Sequence, residues 1–174
     1  DTVQRGNSGT LIVQKPKDAK KANQSLLLLE ASYMDGGALP VAPLRGSQLI
    51  QLRTRDIPGI LADAHQGLKL SEKMVGHIGH GSYLCYQGIN LTGIRQVIAY
   101  VASAGTGGEI QLRLGSRDGQ LIGKVEVTPN GSWSEYVEQP IIISPTSGRH
   151  DLYVCFDKPG IQSGIMNLSS LSFR

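Results

Sequence analysis

The sequence predicts an all-β chain, an antiparallel β-sandwich of the jelly-roll kind with a strand-rich N-terminal extension. Three observations carry this. Apolar segments of five to eight residues recur between turn signals, 22 of 174 residues are glycine, and the turns SRDG, TPNG, SPTSG and DKPG supply the backbone angles that link short strands.

The elements follow in chain order. In the first fifty or so residues, TLIVQ, LLLLEASY and SQLIQLRTR read as three strands, separated by a Lys/Ala/Asn linker and by DGGALPVAP. A helix over about 17–29 competes with this, because DAKKANQSLLLL contains good helix formers; its apolar residues fall in one block instead of at a 3.6-residue spacing. The boundary is placed at 55/56, giving a β extension or remnant of a preceding domain over 1–55 and a sandwich over 56–174.

Beyond the boundary, GSYLCYQG and RQVIAYVASA are apolar on both faces, as central strands are. EIQLRL alternates, with Ile110, Leu112 and Leu114 on one face and Glu109, Gln111 and Arg113 on the other. GKVEVT sends Val125 and Val127 inward, and DLYVCF sends Leu152, Val154 and Phe156 to one face with Tyr153 and Cys155 on the other.

Composition excludes several classes. Net charge is +3 and the one basic run, KPKDAKK, lacks interleaved aromatics, so no nucleic-acid partner is expected. No apolar run is long enough to cross a bilayer, so no membrane insertion is expected either. Cys85 and Cys155 stand seventy positions apart with no CxxC or Cys/His grouping, which argues against a zinc site and leaves two alternatives, one long-range disulfide or two buried thiols. Four of the five asparagines lie in N-x-Ser/Thr triplets, a sign pointing to a secreted, extracellular or periplasmic chain.

Catalysis finds no footing. Glu135 and Glu138 lie near Trp133, but a glycosidase needs two carboxyls roughly 5–9.5 Å apart, and residues three apart on an extended segment face opposite ways. His77 and His80 have no acidic or cysteine partner nearby in sequence. GxSxG, HExxH and phosphate-loop motifs are absent. The chain reads as a non-enzyme.

From about Ile57 onward, VGHIGHGSYLCYQGINLTGI, VASAGTGGEIQLRLGSRDGQLIGKVEV, NGSWSEYV, GRHDLYVCFDKPG and MNLSSLSF occur in the order that resembles a family 6 carbohydrate-binding module. The N-terminal YMDGGALPVAPLRGSQLIQLR resembles the segment preceding such modules in bacterial sugar-dehydrogenase-like proteins. The resemblance implies a non-catalytic sandwich that binds a neutral oligo- or polysaccharide at a loop-edge cleft, fused to a catalytic domain in a larger protein. It also implies site residues. Trp133 matches the loop tryptophan that stacks on a sugar ring, Asn167 the asparagine that hydrogen-bonds hydroxyls, and His77 stands where a second aromatic is usual. Tyr83, at the following turn, is expected to be a core residue. No metal ligand is expected, because the two acids of the family's structural calcium site correspond to Ile60 and Ser169, with Asp63 as a lone substitute. The alternative is a docking sandwich that has lost sugar binding, in which the first fifty residues cover Trp133. Glycosylation of Asn167 would block the cleft.

Overall fold

The computed structural model describes residues 27–174 except 39 and 41. TLIVQ and most of the competing helix lie outside the described residues; Leu27–Leu29, at the end of that helix, are strand.

Two antiparallel sheets face each other. One contains β4 (Ala64–Gln66), β7 (Tyr83–Asn90), β9 (Gly108–Leu114), β10 (Gln120–Val127) and β12 (Arg149–Asp157), in the order β10-β9-β12-β7-β4. The other runs β11-β8-β13-β6-β5, built from β5 (Lys69–Leu70), β6 (Val75–Gly76), β8 (Gln96–Ala102), β11 (Val137–Ile142) and β13 (Asn167–Phe173). A short β3 (Asp56–Pro58) pairs with β13, and one 3-10 turn, Gly59–Leu61, leads out of it.

The core between the sheets is what the alternation predicts. Ile110 and Leu112 from β9, Leu152, Val154 and Phe156 from β12, and Val97, Ala99 and Val101 from β8 all belong to one buried cluster. Val127 joins it fully and Val125 partly. Burying these side chains is the main favourable contribution to folding, at roughly 1.5–3 kcal/mol for each Val, Leu, Ile or Phe. Pro140 cannot donate a ladder hydrogen bond, and the chain tolerates it because β11 is an edge strand, paired to β8 alone.

Outside the sandwich, β1 (Leu27–Met34) and β2 (Arg45–Leu52) form an antiparallel hairpin that pairs with neither sheet. Asp35 closes its connection by accepting the N–H groups of Gly37 and Leu44 through one carboxylate oxygen. The strands expected from LLLLEASY and SQLIQLRTR are present, but Leu28, Tyr33, Met34 and Leu49 remain exposed and none enters the sandwich core.

Tyr83 differs from its expected place. Along β7, Leu84 and Tyr86 face the core, so Tyr83 and Cys85 face outward by the period of two. There Tyr83 packs against Tyr153 of β12, ring centroids 5.5 Å apart. The same four-residue patch explains the cysteines. Cys85 opposes Tyr153 and Cys155 opposes Tyr83, so the tyrosines meet along one diagonal and the thiols occupy the other. Both thiols are free. Burial pushes Cys155 up to about 11, against a smaller downward pull from Arg113 and Arg117, so it is protonated and unreactive at neutral pH.

Candidate functional site

The site forms where β8 ends and β13 begins, and its frame is a set of side-chain to backbone bonds. Ser103, just after β8, donates its hydroxyl to the Ile165 carbonyl at 2.7 Å. Its own N–H is accepted by Asn130 Oδ1 at 2.9 Å, and its carbonyl accepts the N–H groups of Asn130 and Gly131. Asn130 then donates Nδ2 to the Glu135 carbonyl at 2.7 Å, and Ser132 Oγ accepts the N–H groups of Ser134 and Glu135. Gly131 takes the left-handed angle φ +77° that the turn requires. Asn130 and Ser132 thus fix the backbone of NGSWSE through their side chains, and Trp133 sits at the crest.

Trp133 is 43% exposed. Beneath it lie two glycines. A Cβ added at Gly105 would stand 2.8 Å from Trp133 Cη2 and would overlap the Gly164 carbonyl oxygen. The indole therefore rests on bare backbone and leaves the rest of its surface to solvent. Among the described N-terminal residues, the hairpin lies at the other end of the sandwich: the cavity it borders is lined by Gly88, Arg149 and Phe173, and by no residue of the Trp133 turn.

Asn167, the first residue of β13, is 7% exposed and donates Nδ2 to the Trp133 carbonyl at 2.9 Å. One amide N–H of the asparagine expected to meet a ligand is thus committed to holding the tryptophan turn, and the second remains. Burial of the amide beneath the tryptophan turn argues against a glycan here. On the other side, Asn167 Oδ1 would stand 3.1 Å from a Cβ at Gly76, the residue before His77. His77 is exposed, with φ +54°, and is the only non-glycine residue with positive φ among those described. Trp133 and His77 thus flank Asn167, which joins their segments.

Sequence reasoning missed two further participants. Tyr136, three residues after the tryptophan, is half-buried and donates its hydroxyl to Met74 Sδ at 3.1 Å, bracing the tryptophan segment against the one that carries His77. Burial raises the Tyr136 hydroxyl above its ordinary range, so it remains a donor. Neither residue belongs to a recognisable turn or strand pattern, and only proximity in space reveals them.

The acidic candidates separate. Glu138 accepts the Tyr100 hydroxyl at 2.9 Å on the outer face of its sheet, while Glu135 is exposed in the turn. His80 finds an acidic partner after all, Asp157 at 2.7 Å, through folding and not sequence proximity. Among the described residues no group of three or more His, Cys, Asp or Glu gathers as a metal site. The residues at the family calcium positions do not fit that cation. Ile60 has no oxygen in its side chain and Ser169 offers a hydroxyl, where calcium needs six to eight oxygens with carboxylates among them. Asp63 is not free to substitute. It takes Arg53 Nη2 at 2.5 and 2.6 Å and also accepts the Gln87 N–H at 2.7 Å. Nearby, the buried Tyr86 hydroxyl donates to the Gly59 carbonyl at 3.0 Å, tying the 3-10 turn to β7.

Comparison with known proteins agrees with this geometry. Residues 60–174, about two-thirds of the chain, match the model of the carbohydrate binding module (family 6). A solved family 6 module of Clostridium cellulolyticum in complex with xylose is 29% identical with a TM-score of 0.64, over 68% of this chain and 95% of that one. A β-1,3-glucan binding module of Bacillus halodurans is 25% identical with a TM-score of 0.64, over 68% and 94%. The endo-1,4-beta-xylanase A of Thermoclostridium stercorarium is 35% identical over 86 residues, which are 49% of this chain but only 17% of the xylanase. No described helix is long and apolar enough to cross a membrane. The chain belongs to the family 6 carbohydrate-binding modules, non-catalytic β-sandwiches that bind oligo- and polysaccharides.

Proposed function

We propose that the Trp133 end of the sandwich recognises a neutral β-linked glycan. The exposed indole, locked to Asn167 through its own carbonyl, carries this reading. A pyranose presents C–H groups on one face, which spread over the flat ring, while the rim hydroxyls meet the remaining amide capacity of Asn167 and the imidazole of His77 on the far side. The xylose-bound and β-1,3-glucan binding relatives support a β-glucan or xylan class. The xylanase relative, of which the alignment covers a small share, supports a role beside a catalytic domain of an extracellular bacterial enzyme.

The test uses the chain's single tryptophan as reporter. Titration with xylo-, cello- and laminari-oligosaccharides is expected to shift Trp133 emission to the blue and saturate with a Kd of roughly micromolar to millimolar, because one platform and a few exposed hydroxyl bonds leave little surplus after ordering costs. Silence toward all three series, together with no retardation in polysaccharide-containing gels, overturns the reading.

We further propose that the module needs no calcium, since Tyr86, Arg53 and Asp63 make the cross-links near the family calcium positions. Thermal unfolding in EDTA and in millimolar calcium is expected to give the same midpoint. A calcium-dependent rise of several degrees would refute this.

A further inference from the structure

The opposite end of the sandwich holds a cavity of about 230 Å³ between the hairpin exit and the β7–β8 turn. We propose that it is an oxyanion pocket, taking a carboxylate-bearing monosaccharide or a free tetrahedral anion, and that it works independently of the Trp133 site. Three arginines line it, Arg53, Arg55 and Arg149, together with Asn90 and Thr92.

The argument rests on which charges are already answered. Arg53 is matched by Asp63. Arg55 and Arg149 have no ion-pair partner among the described residues, although three carboxylates lie nearby in the fold. Asp63 is consumed by Arg53 and the Gln87 N–H. Asp151 accepts the Gly88 N–H. Asp56 precedes the buried Ile57 on β3, so it points out of the sandwich, toward the side where Tyr100 feels its charge. None of the three lines the cavity.

The neutral groups are also set as donors. Asn90 Oδ1 accepts the Thr92 N–H at 3.1 Å, which leaves the amide NH₂ unused. Thr92 Oγ1 accepts the Gly148 N–H at 2.8 Å, which leaves its O–H to give. Arg149 is aimed by two carbonyls, donating Nη1 to Gln51 at 2.9 Å and Gly88 at 3.3 Å, with Nε and Nη2 remaining. Apolar side chains such as Ile57, Ile94 and Phe173 make up much of the wall, but its polar side chains are donors with no carboxylate among them, and their complement is an acceptor-rich anion. Its volume falls below the range for drug-sized ligands and fits one sugar ring or one ion, not a chain.

The test is a thermal-shift and calorimetric comparison of glucuronate, galacturonate, phosphate and sulfate with glucose, xylose and sodium chloride at matched ionic strength. At least one oxyanion is expected to stabilise the protein beyond sodium chloride, with apparent affinity about tenfold weaker in Arg55→Gln and in Arg149→Gln and unchanged in Trp133→Ala. Response to the uronates alone assigns a sugar-borne carboxylate; response to phosphate and sulfate assigns a free ion. The Arg55 side chain is exposed and makes no hydrogen bond or ion pair with the described residues, and its carbonyl, which accepts the Phe173 N–H, survives the exchange, so Arg55→Gln keeps its fold even if Arg149→Gln does not. The proposal falls if no oxyanion exceeds sodium chloride, or if the response persists undiminished in Arg55→Gln. Because the Trp133 titration uses neutral sugars and a different end of the molecule, either result stands without the other.

Discussion

Trp133→Ala is expected to weaken retention on polysaccharide by well over tenfold while leaving the sandwich folded. A sugar ring covering about 100 Å² of indole, at about 25 cal/mol per Å², contributes about 2.5 kcal/mol, or roughly a 70-fold loss of affinity on truncation. From a starting Kd at the millimolar end of the expected range, that puts binding beyond detection; from the micromolar end it leaves a Kd of roughly 0.1 mM. The fold is spared because the side chain is nearly half exposed and its structural role is carried by its carbonyl, which alanine retains. Affinity electrophoresis with a parallel melting curve reads both effects. Retention unchanged from the parent would remove the indole from the site; collapse of the melting transition would make it a core residue.

Gly105→Ala is expected to damage both stability and binding. The added methyl overlaps the Gly164 carbonyl oxygen and presses on the edge of the Trp133 ring, so two loops and the indole must move together. Overpacking of this kind costs about 1–3 kcal/mol, which for a domain of this size lowers the melting midpoint by about 4–8 °C at the middle of that range. Displacement of the ring from its seat should also weaken glycan binding by at least tenfold. Gly36→Ala is the matched control, because nothing lies within 4 Å of a Cβ there and its backbone angle is ordinary. A Gly105→Ala protein with parental midpoint and parental retention would show that the glycine floor is incidental.

What could be read in advance followed the physics of each region. Strands with strict alternation, such as β9 and β12, were legible because one face is buried and the other wet, so each side chain reports its own direction. Tyr83 was not, because aromatic content suggests the core while the period of two, counted from Leu84, sends it outward onto Tyr153. Trp133 was legible as a loop tryptophan through the family resemblance, and the fold leaves it exposed. The first duty of Asn167, holding the Trp133 carbonyl, was not, since a side-chain to backbone bond across 34 positions leaves no local pattern. The pairing of His80 with Asp157 and of Tyr136 with Met74 escaped for the same reason. The cavity at the far end depends on which carboxylates are already engaged, a matter settled only in three dimensions.

The bond from Asn167 runs to the main chain of residue 133, and the side chain above it is not involved. That bond is therefore indifferent to the side chain it carries. A tyrosine or phenylalanine at 133 would keep this bond, so ring size and polarity can vary during evolution without rebuilding the turn, within what the Gly105 and Gly164 floor accepts. Changing the sugar such a domain prefers then requires one exchange at a fixed socket, not a new loop.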